Sequence, residues 1–349
     1  MTYTVVQWAT GNVGIEALRG ILQHPELRLA GVLVHGEDKD GMDAGMLCGM
    51  APAGVVASRD KEAIFALEAD CVCYTPQVPD LGEVCRLLES GKNVVTTSFL
   101  FHPASLGEED LQRLETACRR GGSSVHGTGI NPGFIGDELV LAMSGLSRRI
   151  ERVKVIECAD WSQYGLSAPQ IAFDLCRFGH EPQDVRDHPY AQFMGDLFLQ
   201  SVRIVADGIG LCLDETRALL DFELADQDLK IGERVVRVGT VAGQRYRWQG
   251  LRKDQVVIEI ETLWTIGHIT PKDWPAESEG WSIIITGDPS MQATFNFDRS
   301  NARCSVIATA MHAVNSIAPV CRAEPGVRTS LDLPLIRGAY AGTTVECDD

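Results

Sequence analysis

The chain has 349 residues, 45% of them hydrophobic and 23% charged, and a formal net charge of -17. That length predicts two domains, each large enough to bury its own core. The acidic balance argues against a nucleic-acid partner, because a phosphate backbone would meet repulsion over most of the surface. No apolar stretch approaches membrane-spanning length and the N-terminus lacks the pattern of a secretory signal, so a cytoplasmic protein without a membrane partner is expected.

The first element is an apolar strand, Tyr3 to Trp8, which runs directly into ATGNVG, Ala9 to Gly14. From Asn12, apolar Val13, Ala17, Leu18, Ile21 and Leu22 recur at helical spacing. Strand, small-residue turn and helix N-terminus in that order form the phosphate cradle of a dinucleotide-binding fold. Gly11 removes a Cβ where backbone must approach a pyrophosphate, and Gly14 lets the helix lie close to the strand. Ala9 stands where the first glycine of the motif is usual. Thr10, Gly11, Asn12 and Val13 are therefore the first candidate cofactor contacts.

Apolar runs then alternate with helical segments. The strands are Leu29 to Val34, Val55 to Ala57, Cys71 to Tyr74, Asn93 to Thr97 and Ser124 to His126; the helices are Lys61 to Glu68, Asp80 to Ser90 and Glu108 to Arg120. Such alternation implies right-handed crossovers and a mainly parallel, Rossmann-like sheet, with ligand at the carboxyl ends of the strands. After the second strand lie His35, Glu37, Asp38 and Lys39. A cation there suits the 2'-phosphate of NADP, whereas Glu37 suits the ribose of NAD, so the choice between NAD and NADP stays open. Thr75 and Pro76 end the strand after Tyr74, and Thr97 ends the one after it; all three are candidate cofactor contacts. HGTGINPGF, His126 to Phe134, packs three glycines and a proline into nine residues. Backbone of this rigid loop, with Asn131 and Pro132, is expected to hold the nicotinamide carboxamide, and Asp137 to cap the following helix.

Beyond Arg149 the pattern changes. Ile150 to Ala159 is a strand, Pro169 to Phe178 and Tyr190 to Ile209 are helical, and long alternating segments follow at Leu219 to Leu224, Arg234 to Gln249, Gln255 to Ile266, Trp281 to Thr286 and Gln292 to Phe297. Alternation indicates a largely antiparallel sheet with one covered face. Arg303 to Ile317 is helical and returns the chain to the first domain. The expected organisation is a dinucleotide-binding domain, 1–149; an α+β substrate and dimerisation domain with a mixed sheet, 150–300; and a C-terminal helix and tail, 301–349. The substrate is then expected between the two domains.

Eleven cysteines are present. Cys71 and Cys73 share one apolar strand, no CxxC pair or histidine cluster accompanies them, and most of the others lie in apolar segments. Neither a metal site nor a disulfide framework is expected.

VVQWATGNVG, GKNVVTT, HGTGINPGF and the late ATAMHAVNSI together resemble the family that joins dihydrodipicolinate reductase-like proteins with 2,4-diaminopentanoate dehydrogenase and the native amine dehydrogenases. The resemblance spans nearly the whole chain. It implies an NAD(P)-dependent oxidoreductase that interconverts an amine and a ketone through an imine, as a homodimer joined by the sheet domains. Two departures matter. The histidine-rich segment with a lysine found in dihydrodipicolinate reductases proper is missing, which rejects the lysine-pathway role. Where the amine dehydrogenases carry a glutamate just after the strand matching Asn93 to Thr97, this chain reads TTSFLFHP, so that Ser98, Phe99 and Leu100 replace the acidic segment.

His102 and Tyr164 are the candidate proton-transfer residues. His102 has an ordinary pKa suited to the task but equally fits a turn before proline, and Tyr164 equally fits a packed interface. Phe99, Leu100, Asp160, Trp161 and Thr309 are candidate substrate contacts, with His312 and Asn315 on the same helical face as Thr309, though all three equally fit hydrogen bonds to neighbouring backbone, the reading favoured for Asn315; Trp161, Phe178, Phe193 and Met194 would suit an apolar substrate, but as isolated residues such side chains are more often core. The expected chemistry is hydride transfer to or from a carbonyl or imine carbon of a small, rather apolar molecule. The alternative is a cofactor-binding regulatory or catalytically silent homologue.

Overall fold

The computed structural model describes residues 1–271, 273–274, 279–298 and 303–339. The chain forms two compact units, Met1–Ile130 with Ser305–Asp349, and Asn131–Cys304. The division thus falls after Ile130 rather than after residue 149. Part of the C-terminal stretch, residues 301–302 and 340–349, lies outside the described residues.

The first unit is built on β1 (Tyr3–Trp8), β2 (Leu27–Leu33), β3 (Ala57–Ser58), β4 (Cys71–Tyr74), β5 (Asn93–Thr96) and β6 (Ser124–Gly127), joined at one edge by the strand Gly326–Arg328. All pairings are parallel, and the order is Gly326–Arg328, β6, β5, β4, β1, β2, β3. The order reverses between β1 and β4, which makes the ends of these two strands the switch point of the sheet. Alternation along the strands sorts the core. Val5, Cys71, Cys73 and Val95 face one cluster, and Val6, Trp8, Val72, Tyr74 and Val94 face another. Each face is therefore covered, as a parallel sheet requires.

The helix Cys304–Arg322 is long and apolar enough to cross a membrane, contrary to the expectation that no stretch is. Its Ala310, Ala313, Val314, Ile317, Ala318 and Val320 lie in the first unit's core with Val5 and Leu18, which accounts for its apolar character without a bilayer.

The second unit holds a six-stranded sheet of β7 (Arg149–Asp160), β8 (Glu215–Leu224), β11 (Val241–Arg252), β12 (Gln255–Thr265), β13 (Gly280–Asp288) and β14 (Met291–Phe295), with a small hairpin of β9 (Leu229–Ile231) and β10 (Arg234–Val236). It is mixed: β7 and β12 run parallel, and the other pairings are antiparallel. The alternating run Arg234 to Gln249 is two strands rather than one. Gly239, at φ +83°, turns the chain between them, and Asp228 accepts hydrogen bonds from Arg237 and the Val238 N–H. The expected helix Pro169 to Phe178 is present as a short π-helix, Gln170–Leu175, and a short α-helix, Ser162–Ser167, precedes it.

The two sheet faces differ in chemistry. The helix Pro189–Gly208 covers the face of Trp248 and Trp264, with Phe198 stacked on Trp248 at 4.3 Å. The opposite face carries a ladder of charges: Lys154 reaches Glu259 at 3.1 Å and Glu261 at 2.6 Å, Arg245 reaches Glu261 at 2.5 Å, and Arg152 reaches Glu259 at 3.2 Å. Burial works to raise the Glu259 carboxyl, but the Gln249 hydrogen bond and the cations Lys154 and Arg152 outweigh it and hold the group below its ordinary value. Glu259 thus stabilises the fold above the ordinary carboxylate range, and that contribution disappears as pH falls through its lowered value.

Candidate functional site

The turn after β1 has the geometry of a phosphate cradle. Ala9 sits at φ +75°, the left-handed conformation that the usual glycine provides, so the turn is made here with an alanine. A Cβ on Gly14 would lie 2.2 Å from the Ala9 carbonyl oxygen and 2.8 Å from Thr75 Oγ1, so only glycine fits this helix position. Gln7, wholly buried at the end of β1, fixes the turn: its Nε2 donates to the Ala9 carbonyl at 2.8 Å and to Thr75 Oγ1 at 2.9 Å.

Gly11 is the N-cap of the helix Asn12–Gln23, and among the described residues no side chain caps this end. Among the described residues a Cβ on Gly11 would meet nothing within 4 Å. Uncapped N–H groups beside open space suit an anion, and a pyrophosphate fits them. Lys39 Nζ donates to the Thr10 carbonyl at 2.9 Å, which brings a cation from the loop after β2 onto the same turn. Glu37 is occupied differently, by an ion pair with Arg59 at 3.0 Å, and His35 is exposed.

The ends of the next strands are also closely built. Ser98 Oγ donates to the Pro76 carbonyl, linking the loops after β4 and β5, while Thr97 is half-buried between them in sequence. A Cβ on Gly127 would lie 2.2 Å from the Phe99 carbonyl oxygen and 2.4 Å from that of Leu100, so the end of β6 supports this loop by direct backbone approach. Leu100 takes a positive φ of 68° and belongs to the buried cluster of Trp8 and Tyr74. Its side chain packs the first unit's core rather than facing a ligand. Phe99 is packed against the same cluster but remains half-buried. His102 caps the short helix Pro103–Ser105, its Nδ1 accepting the Ala104 N–H at 3.2 Å. Thr128 Oγ1 and His312 Nδ1 lie 2.6 Å apart, tying the loop after β6 to the C-terminal helix within the first unit. Thr309 spends its hydroxyl on the Ser305 carbonyl of its own helix, and Asn315 Oδ1 is buried with no hydrogen-bond partner among the described residues.

In the second unit, Asp160 is committed to local structure. It accepts the Ser162 and His268 N–H groups and pairs with His268 Nδ1 at 2.8 Å. Trp161 joins an aromatic cluster with Tyr164, Phe178 and Trp264 at ring distances of 5.0, 6.0 and 5.0 Å. Burial pushes the Tyr164 hydroxyl above its ordinary value, making it a weaker proton donor near neutrality. Phe178 and Met194 are buried, and Phe193 is exposed. Asp137 accepts the Gly133 N–H at 2.9 Å, so it closes the loop before it rather than capping a helix after it.

Glu157, on β7, escaped the reading of the sequence. Its Oε2 accepts Asn131 Nδ2 at 2.7 Å and Trp281 Nε1 at 2.9 Å, and its Oε1 accepts Trp264 Nε1 at 2.8 Å. Burial pushes this carboxyl above its ordinary value, and the three N–H donors offset that only in part. The signal lay in the phase of the strand: alternation puts Glu157 with Val153 and Val155 on one face, where an acid is out of place. Asn131, expected at the cofactor, is thus the anchor of this carboxylate, and Pro132 follows it through a cis peptide bond.

Burial pushes the Cys73 and Cys118 thiols up to about 12, so neither is a thiolate near neutrality, and among the described residues no group of three or more histidine, cysteine or acidic side chains is placed to hold a metal.

These features define a Rossmann-type α/β protein carrying a second, mixed-sheet unit. The family model for the 2,4-diaminopentanoate dehydrogenase C-terminal domain matches residues 134–347. An amine dehydrogenase of Streptomyces virginiae is 31% identical over 96% of this chain and 97% of its own length. The 2,4-diaminopentanoate dehydrogenase of Acetoanaerobium sticklandii is 27% identical over 72% of this chain and 69% of its own. The solved structure of an amine dehydrogenase from Mycobacterium smegmatis superimposes with a TM-score of 0.77 at 18% identity, covering 97% of this chain and 98% of that one. The chain belongs to the family of amine dehydrogenases and 2,4-diaminopentanoate dehydrogenases, and it is an oxidoreductase.

Proposed function

We propose that the protein transfers hydride between a nicotinamide cofactor and the carbonyl or imine carbon of a small, rather apolar substrate. The carrying observation is the uncapped helix N-terminus at Gly11, open to a phosphate and joined to Lys39 through the Thr10 carbonyl. The cofactor supplies the redox chemistry. The chain's own part is to bind and orient: N–H groups at the start of the helix Asn12–Gln23 take the pyrophosphate, and Lys39 favours the 2'-phosphate of NADP. Glu37, engaged by Arg59, is less suited to hold the ribose of NAD.

The names of the two curated relatives support an amine as the reduced partner of the reaction. The aromatic cluster of Trp161, Tyr164, Phe178 and Trp264 suits an apolar substrate. Ser98, Phe99 and Leu100 offer no acid beside β5, which favours reduction of a preformed carbonyl or imine, where one proton suffices, over assembly of the imine from ammonia. A homodimer joined through the sheet units is part of the same reading, drawn from the family resemblance.

Aliphatic ketones with and without ammonium, and cyclic imines such as 1-pyrroline, assayed with NADPH and NADH, test it. The expected result is oxidation of NADPH faster than NADH, with no requirement for ammonium. Consumption of reduced cofactor by simple ketones that depends on ammonium would refute the preference for a preformed acceptor.

A further inference from the structure

We propose that Glu157 is the residue that gives the substrate its proton in reduction and takes it back in the reverse direction. The inference rests on the hydride-transfer reading above and adds to it the acid–base group.

The placement is unusual for an acid. Glu157 lies on a central strand of the six-stranded sheet, paired with Trp281 on one side and Thr262 on the other. Its three hydrogen-bond donors, Asn131, Trp264 and Trp281, are uncharged. Among the described residues no ion pair reaches it; Lys154, Arg152, Glu259 and Glu261 belong to the opposite face by strand alternation. A carboxylate kept without a cation in an apolar setting costs stability, since breaking even with solvation needs a charged partner or full hydrogen bonding. Sheet architecture gives no reason for that cost, because the positions on the same face of β7, Val153 and Val155, are apolar.

The surroundings also suit a substrate. Trp264 holds Oε1 and at the same time packs, tilted, against Trp161 in the aromatic cluster, so the carboxyl and an aromatic wall are fixed to each other by one indole. Among the described residues Oε1 accepts that one hydrogen bond and keeps a further acceptor position, and Glu157 is only partly buried. A carbonyl, imine or amine against the aromatic wall meets a group able to exchange a proton. Asn131 holds the other oxygen at 2.7 Å, and it lies in the loop that leaves the carboxyl end of β6.

The step balances simply. As the substrate carbon receives hydride, the π pair of its C=O or C=N bond moves to oxygen or nitrogen. That atom takes the proton of the Glu157 carboxyl, which becomes a carboxylate and regains a proton from water. Oxidation of an amine or alcohol runs the other way and needs the carboxylate. Burial keeps the carboxyl protonated to higher pH than an ordinary glutamate, the form reduction requires.

The test uses the full-length protein, NADPH binding followed by fluorescence, and the pH profile of kcat on the best acceptor of the ketone and imine panel. Glu157→Gln is expected to leave the NADPH Kd unchanged and to lower kcat at least about 100-fold, with loss of the alkaline limb on which wild-type reduction declines. Trp281→Phe keeps the carboxyl but removes one donor to it, so its limb moves to higher pH; this variant carries the test if Glu157→Gln does not fold. A purely structural residue would leave the limb where it is. Retained kcat with the wild-type pH profile in Glu157→Gln, or an unmoved limb in Trp281→Phe, overturns the role of Glu157 alone. A folded wild type that turns over no member of the panel overturns the hydride-transfer reading and this proposal with it.

Discussion

Valine in place of Gly14 is expected to abolish dinucleotide binding and to destabilise the first unit by about 3 kcal/mol or more, as overpacking against backbone adds to lost hydrogen bonds. The added Cβ would lie 2.2 Å from the Ala9 carbonyl oxygen and 2.8 Å from Thr75 Oγ1. Neither can yield freely. The Ala9 carbonyl accepts Gln7 Nε2 at 2.8 Å, and Thr75 Oγ1 bridges Gln7 Nε2 at 2.9 Å and the Trp8 carbonyl at 3.2 Å. A helix pushed outward therefore breaks a buried network at the switch point of the sheet as well as moving its own N–H groups. Gly11→Ala supplies the contrast. Its Cβ meets no atom of the described residues within 4 Å and its φ of -72° suits any residue, so the fold should keep its Tm while NADPH affinity falls. Thermal unfolding and fluorescence titration of the two variants separate a turn that builds the fold from a surface that meets the ligand. Equal NADPH affinity in Gly11→Ala and wild type would argue that the phosphate lies elsewhere.

Glu261→Ala is expected to cost the second unit about 3 kcal/mol, near the lower end for breaking a buried ion pair from one side. Glu261 is fully buried and accepts from Arg245 at 2.5 Å and pairs with Lys154 at 2.6 Å. Its cations keep 20% and 22% of their side-chain exposure, which allows water to take up part of the loss. Lys154 retains Glu259 at 3.1 Å, so Arg245 is the group left without its carboxylate. Chemical denaturation of Glu261→Ala and of the double variant Glu261→Ala/Arg245→Leu measures this: the double variant should regain much of the loss, since removing both charges leaves no orphan. Equal stability of Glu261→Ala and wild type would mean that the ladder carries no net energy.

How far the sequence led can be judged from particular elements. β1 and β4 were bounded to the residue, because an apolar run flanked by turn residues leaves little choice. The strand Gly326–Arg328 was missed: three residues joined to the edge of a parallel sheet carry no period of their own. The phosphate turn was visible in order and spacing, whereas the fit of alanine at φ +75° depends on backbone geometry that no motif records. Leu100 shows the limit of placing residues by loop membership. The loop after β5 was expected to present it to substrate, but the close approach of Gly127 folds that loop inward and buries it. His102 and Asp160 likewise proved to hold local turns. Glu157 was hidden for the opposite reason, since its partners Trp264 and Trp281 come from strands more than a hundred residues later and only pairing of β7 with β12 and β13 brings them together.

The hydride-transfer reading makes one demand that no binding or regulatory protein would meet. Reduction of the best acceptor in the panel with NADPH deuterated at C4, followed by mass spectrometry of the product, should place a single deuterium on the former carbonyl or imine carbon from one of the two C4-deuterated epimers of the cofactor and none from the other. NADPH bound tightly without product, or product formed without deuterium from either epimer, would contradict the account.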